Sequence, residues 1–156
     1  MTVSGLPLHV LVIHAVVVLV PLTVLATIAL AVLPRWRWLL RWPTAAAAVV
    51  CVPLSFLATS SGESLEESRP GLDRLVREHS QHGEMLANLT IVLAVVVLAA
   101  AFLLPGPSAL AGEKGAVPSR WHLVDRVLPV LLVLAAAVVL VEVFLTGESG
   151  ARAVWG

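Results

Sequence analysis

Hydrophobic residues run along this chain in four long blocks, near residues 10–33, 39–58, 85–104 and 127–146. Each block is about 20 residues, the length an α-helix needs to cross a bilayer core of roughly 30 Å. Polar residues gather between the second and third blocks, over Glu63–Glu84, and near the ends. The pattern predicts an all-α membrane protein, with four transmembrane helices in an up-down-up-down bundle and both termini on the same side. The expected spans are about 8–33, 39–61, 80–104 and 122–146, in a single domain over 1–156. Residues 62–79 read as a polar extramembrane segment continuing into the third helix. Residues 105–120, rich in Gly, Pro, Ala and Ser, read as a flexible loop.

Local signals add detail. Pro7 suits a first helical turn, where its missing N–H costs nothing. Pro21, Pro53 and Pro129 fall inside spans, where a membrane helix tolerates a kink. Met1–Leu8 carries no Lys or Arg and the first run is long, so it reads as a retained span and not a signal peptide. Trp36, Trp38 and Trp42 alternate with Arg35, Arg37 and Arg41. Trp favours the membrane interface and Arg snorkels to it. Trp121 and His122 fall at the same level. Lys114, Arg120 and Arg126 add to the Trp-rich side, against Arg69, Arg74, Arg77 and Arg152 on the other. By the positive-inside rule the Trp-rich loops are cytoplasmic and both termini lie outside, in a multi-pass protein of the plasma membrane.

Composition agrees. The chain is 59% hydrophobic and 13% charged, against about 25% charged for a soluble domain. Net charge is zero, so nothing suggests a nucleic-acid partner; the partner is the lipid bilayer. The lone Cys51 cannot form an internal disulfide and reads as a packing residue.

Threading the four spans puts His9, His14, Glu63, Glu66, Glu67, Asp73, Glu78, His79, His82, Glu84, Glu142 and Glu148 on one face of the membrane. Only Glu113, Asp125 and His122 fall on the other. His14 and Glu142 each lie about four residues inside their span, roughly 6 Å deep at 1.5 Å per residue. An ionisable group in lipid is costly, so a His14–Glu142 hydrogen bond is the expected pairing. His9 and His14 diverge by about 140° at 100° per residue, whereas His79 and His82 lie within about 60°. The latter two, with a carboxylate from another helix, could hold a metal. Candidate cofactor ligands are His9, His14, His79 and His82. The candidate metal set is His14, Glu63, His79, His82 and Glu142. Ser55, Thr59, Glu63 and Glu67, each four apart, form a polar stripe on one helix face. Glu84, Asn88, Thr146 and Glu148 extend the polar pathway.

The motif Thr59-Ser60-Ser61-Gly62-Glu63-Ser64 echoes Thr146-Gly147-Glu148-Ser149-Gly150, and each follows a hairpin whose first helix opens with two histidines. Two parallel hairpins related by an axis along the membrane normal would give this pattern, and glycine as a helix C-cap would account for half of it. No nucleophile motif, phosphate loop or Cys-pair metal motif is present, so no enzyme is indicated. Three functions fit: a redox module holding haem b or a transition-metal ion, for which two facing histidines would suffice; a small transport or proton-relay module; and an accessory or scaffolding subunit. Ala45–Ala48, Ala99–Ala101 and Ala135–Ala137 allow close packing, within the fold or in an oligomer.

Four stretches carry a resemblance: Gly5-Leu6-Pro7-Leu8-His9 with His14, Ser61-Gly62-Glu63 with Leu65-Glu66-Glu67, His79 with His82-Gly83-Glu84, and Gly147–Gly156. With them the chain resembles the bacterial membrane family catalogued as domain of unknown function 2231, in its actinobacterial branch, over nearly its whole length. Many members have a proline after the first histidine and an aromatic after the second; here these are Val10 and Ala15. The resemblance implies a four-helix integral membrane domain. Some relatives are joined to Rieske-type or cytochrome-like modules, which implies redox or respiratory membrane partners.

Overall fold

The structure, a computed structural model, describes residues 2–3, 6–67, 74–104 and 122–155. Helix α1 spans Leu8–Val32, α2 Arg37–Glu67, α3 Arg74–Leu103 and α4 His122–Trp155. All four are long and apolar enough to cross a membrane, and the protein is an all-α multi-pass membrane protein. A two-residue antiparallel pairing, Thr2–Val3 with Leu6–Pro7, precedes α1, and a single 3-10 turn, Pro34–Trp36, leads into α2. The expected loop at 105–120, and residues 68–73 of the expected polar segment, lie outside the described residues.

The helices pack as a ring, α1 on α2, α2 on α3, α3 on α4 and α4 on α1. The α1–α2 and α3–α4 hairpins therefore meet along two seams on opposite sides of the bundle. Lipid supplies no hydrophobic drive between helices, so packing has to come from close fit. Small residues provide it: Ala45, Ala48, Ala94, Ala100, Ala101 and Ala136 are buried beside Val20, Val24, Leu93, Val97, Leu132 and Val139. Val17, Val18, Leu22, Leu134, Val138 and Val141 face outward. Three buried threonines bond to their own helix, whereas Thr44 Oγ1 and Ser55 Oγ have no partner among the described residues. Thr23 Oγ1 donates to Leu19 O, Thr27 to Thr23 O and Thr90 to Ala87 O, at 2.7–2.8 Å. This satisfies those three hydroxyls where no water reaches them.

The two hairpins repeat one another. With His9 set on His79, the buried positions Val16, Val20, Thr23, Val24, Thr27, Leu30 and Ala31 of α1 fall on Leu86, Thr90, Leu93, Ala94, Val97, Ala100 and Ala101 of α3, all buried. With Ser61 set on Ser149, buried Thr44, Ala48 and Cys51 of α2 fall on buried Leu132, Ala136 and Val139 of α4. Side-chain sizes differ at most of these pairs, yet the inward faces coincide. Parallel hairpins about an axis along the bundle account for this register.

At the Trp-rich end Arg37 departs from the snorkelling expected of it. It is 7% exposed, and its Nε and Nη2 donate to Leu30 O and Ala31 O, both at 3.1 Å. Those carbonyls end α1 and have no helical partner, so a cation there completes the helix terminus. Arg37→Ala should lower unfolding stability in detergent by about 1–3 kcal/mol, the cost of stranding buried acceptors. Arg37→Lys should recover only part, since one ammonium lacks the planar fork. A denaturant titration in mixed micelles measures both.

Candidate functional site

At the opposite end of the bundle each hairpin holds one histidine in the same way. His9, near the start of α1, donates from Nδ1 to Ala58 O at 2.9 Å, with Ser61 Oγ at 3.2 Å. His79, near the start of α3, donates from Nδ1 to Thr146 O at 3.1 Å, with Ser149 Oγ at 3.3 Å. Ser61 and Ser149 also donate to those carbonyls, at 2.9 and 3.0 Å. A carbonyl only accepts, so Nδ1 carries a proton in both rings, and in the neutral imidazole Nε2 is the nitrogen that holds the lone pair.

Glycine makes room for each ring. A Cβ on Gly62 would sit 3.0 Å from His9 Cε1, and one on Gly150 would sit 3.0 Å from His79 Cε1. Helical backbone therefore continues through both glycines, α2 to Glu67 and α4 to Trp155, and they act as seats for imidazoles, not as helix stops. The two rings approach across the bundle with centroids 6.5 Å apart and planes at 77°.

Glu142 has a different partner from the one the spans suggested. His82 Nδ1 donates to Glu142 Oε1 at 2.7 Å, while His14 is exposed and donates from Nδ1 to Val10 O, one turn back on its own helix, at 2.6 Å. The reason is angular. Val12 and Val16 define the inward face of α1, and His14 lies about 200° round from Val12. Since α3 begins at Arg74, His82 lies two turns inside the helix and level with Glu142. Thr146 ties the group together: its Oγ1 donates to Glu142 O at 2.7 Å and reaches His82 O at 3.3 Å, while its own carbonyl holds His79.

The remaining candidates separate. His9 and His14 do diverge, one inward and one outward. His79 and His82 take different acceptors and do not share one. The Ser55 stripe winds out of the core: Ser55 is buried, Thr59 Oγ1 bonds Ser55 O at 3.0 Å, and Glu63 is exposed. Thr59 and Glu63, with Phe56, Glu84 and Asn88, line a groove of about 220 Å³ on the α2–α3 seam. Glu63 and His14 thus stand apart from His79, His82 and Glu142, and among the described residues no three His, Cys, Asp or Glu side chains converge on one ion. Glu148 pairs with Arg152 at 2.7 Å on the surface of α4. The Glu67 side chain lies outside the described residues. Residue patterns had not assigned a role to Ser61 or Ser149 and gave Gly62 and Gly150 only that of a helix C-cap, although the repeated Ser-Gly step was their trace.

The repeat supplies an internal control for His82–Glu142. The equivalent positions in the first hairpin are Val12 and Leu54, so the fold does not need ions there. Replacing a buried polar pair by apolar residues of similar volume is often neutral or stabilising, while removing one member is costly. The double variant His82→Val/Glu142→Leu should match or exceed native stability, and His82→Val alone should lose about 2 kcal/mol. Thermal unfolding in detergent compares them. By the same measurement Gly83→Ala and Gly147→Ala, which meet nothing within 4 Å, should gain up to about 1 kcal/mol in helix propensity. Gly62→Ala and Gly150→Ala should lose stability, because a doubly anchored ring cannot yield.

Over residues 5–156 the chain matches the family described as Predicted membrane protein (DUF2231), and it belongs to that family. No curated protein and no solved structure matches it.

Proposed function

We propose that this DUF2231 member is a membrane redox module holding one metal centre between His9 and His79, either haem b iron or a transition-metal ion. The observation that carries the reading is the paired tether, with each Nδ1–H fixed by a backbone carbonyl and each Nε2 left as a donor. Metal-bound histidines are typically oriented in this way, by a hydrogen bond on the far nitrogen. Two imidazoles on opposite sides of one ion, with metal–nitrogen bonds of about 2.0 Å, have centroids roughly 6 Å apart, close to the 6.5 Å observed.

The donor count narrows the chemistry. Two imidazoles without a third His, Cys or carboxylate do not make a tetrahedral zinc site. They suit haem iron, whose other four ligands come from the porphyrin, or copper(I), for which two nitrogen donors in line suffice. A porphyrin would also need a slot between the hairpins; a bare ion would not. On the family resemblance and the Lys/Arg distribution, the reading puts the site at the outer face of a bacterial plasma membrane, beside redox or respiratory partners.

A second reading, proton relay, is favoured by the 2.7 Å His82–Glu142 bond. It is weakened by Thr23, Thr27 and Thr90, whose hydroxyls donate to backbone carbonyls of their own helices and form no hydroxyl-to-hydroxyl chain. Under this reading Glu142→Gln would abolish proton flux in proteoliposomes.

The detergent-purified protein, as isolated or loaded with haem b or copper(I), should show a Soret band or one bound metal per chain. His9→Ala and His79→Ala should each abolish it, and His14→Ala should not. A folded protein that takes up neither haem nor metal would refute the redox reading.

A further inference from the structure

The histidine pair leaves a second set of polar residues without a task. The groove on the α2–α3 seam holds Glu63 and Glu84, and neither has an ion-pair partner among the described residues. On the opposite, α1–α4 seam the repeat places His14 where the groove has Glu84, and therefore at the same depth. Phe144 stands where the groove has Phe56, and Gly147 and Ala151 where it has Thr59 and Glu63. His14 is exposed, and with Nδ1 tied to Val10 O its Nε2 has no partner within the described chain. An ionisable side chain on the outer face of a membrane helix is costly unless something polar covers it. The bundle thus presents an imidazole on one side and two carboxylates on the other, at one height. A simple translation in the membrane plane would bring the two sides of neighbouring copies together.

We propose that the α1–α4 seam of one copy docks in the α2–α3 groove of a second copy, with the His14 Nε2 edge set against Glu63 and Glu84 of that neighbour. Gly147 and Ala151 let the facing backbones approach closely, as small residues do between membrane helices. The contact joins two different surfaces, so it continues head to tail into a row or closes into a ring. It does not depend on the His9–His79 centre, and failure of either leaves the other standing.

Disulfide trapping in membranes tests it. In a Cys51→Ala background, Val18→Cys lies on one seam, 59% exposed, and Asn88→Cys lies in the groove. The two positions are on opposite sides of one bundle, so they cannot bridge within a chain. Oxidation of the double-cysteine protein should give a ladder of dimers, trimers and higher species, and each single-cysteine protein should stay monomeric. Adding His14→Glu should reduce the ladder several-fold, and further addition of Glu63→Lys/Glu84→Lys should restore it. Monomers only, dimers from either single cysteine, or a ladder indifferent to His14→Glu would overturn the proposal.

Discussion

In a bilayer a polar group must find its partner inside the protein, because no water reaches it. That constraint arranges this fold. It ties Thr23 and Thr27 to their own helix and brings Arg37 inward to close the end of α1. It also pins His9 and His79 by Nδ1 to carbonyls of the neighbouring helix, so that the same requirement that stabilises the bundle also fixes the tautomer of its two central imidazoles. The chemistry available at the site follows from a structural necessity, since Nε2 is the one nitrogen left over.

The internal repeat separates what the fold needs from what it carries in addition. Both hairpins have the histidine, the serine and the glycine seat, so these belong to the shared framework. His82–Glu142, set against Val12 and Leu54, belongs to one hairpin only. The two seams differ in the same way, Glu63 and Glu84 on one side and His14 on the other. A two-fold framework with one-sided polar additions can hold a symmetric ligand on its axis and still present different surfaces to left and right.

The fold was readable because period and length decide it: four apolar blocks of membrane-crossing length leave few alternatives. The divergence of His9 and His14 was readable for the same reason, as a matter of helical angle. The partner of Glu142 was not. Depth counted from the ends of apolar blocks misplaces any residue whose helix runs on past the block, as α3 does from Arg74. His82 therefore read only as a ligand candidate beside His79, and His14 as the partner of Glu142. The Ser55–Glu67 stripe misled through accumulated drift, since four residues exceed one turn and each step rotates outward. Gly62 and Gly150 looked like helix ends, because composition cannot show that a ring from another helix occupies the space a Cβ would take.

Histidine-selective 15N NMR of the purified protein, with His9 and His79 assigned by substitution, tests the central claim most directly. The account predicts that both rings carry their proton on Nδ1 with a bare Nε2, and that binding of copper(I) or haem b shifts both Nε2 signals together. A proton on Nε2 of either ring in the free protein, or Nε2 signals that ignore a bound metal, would contradict it.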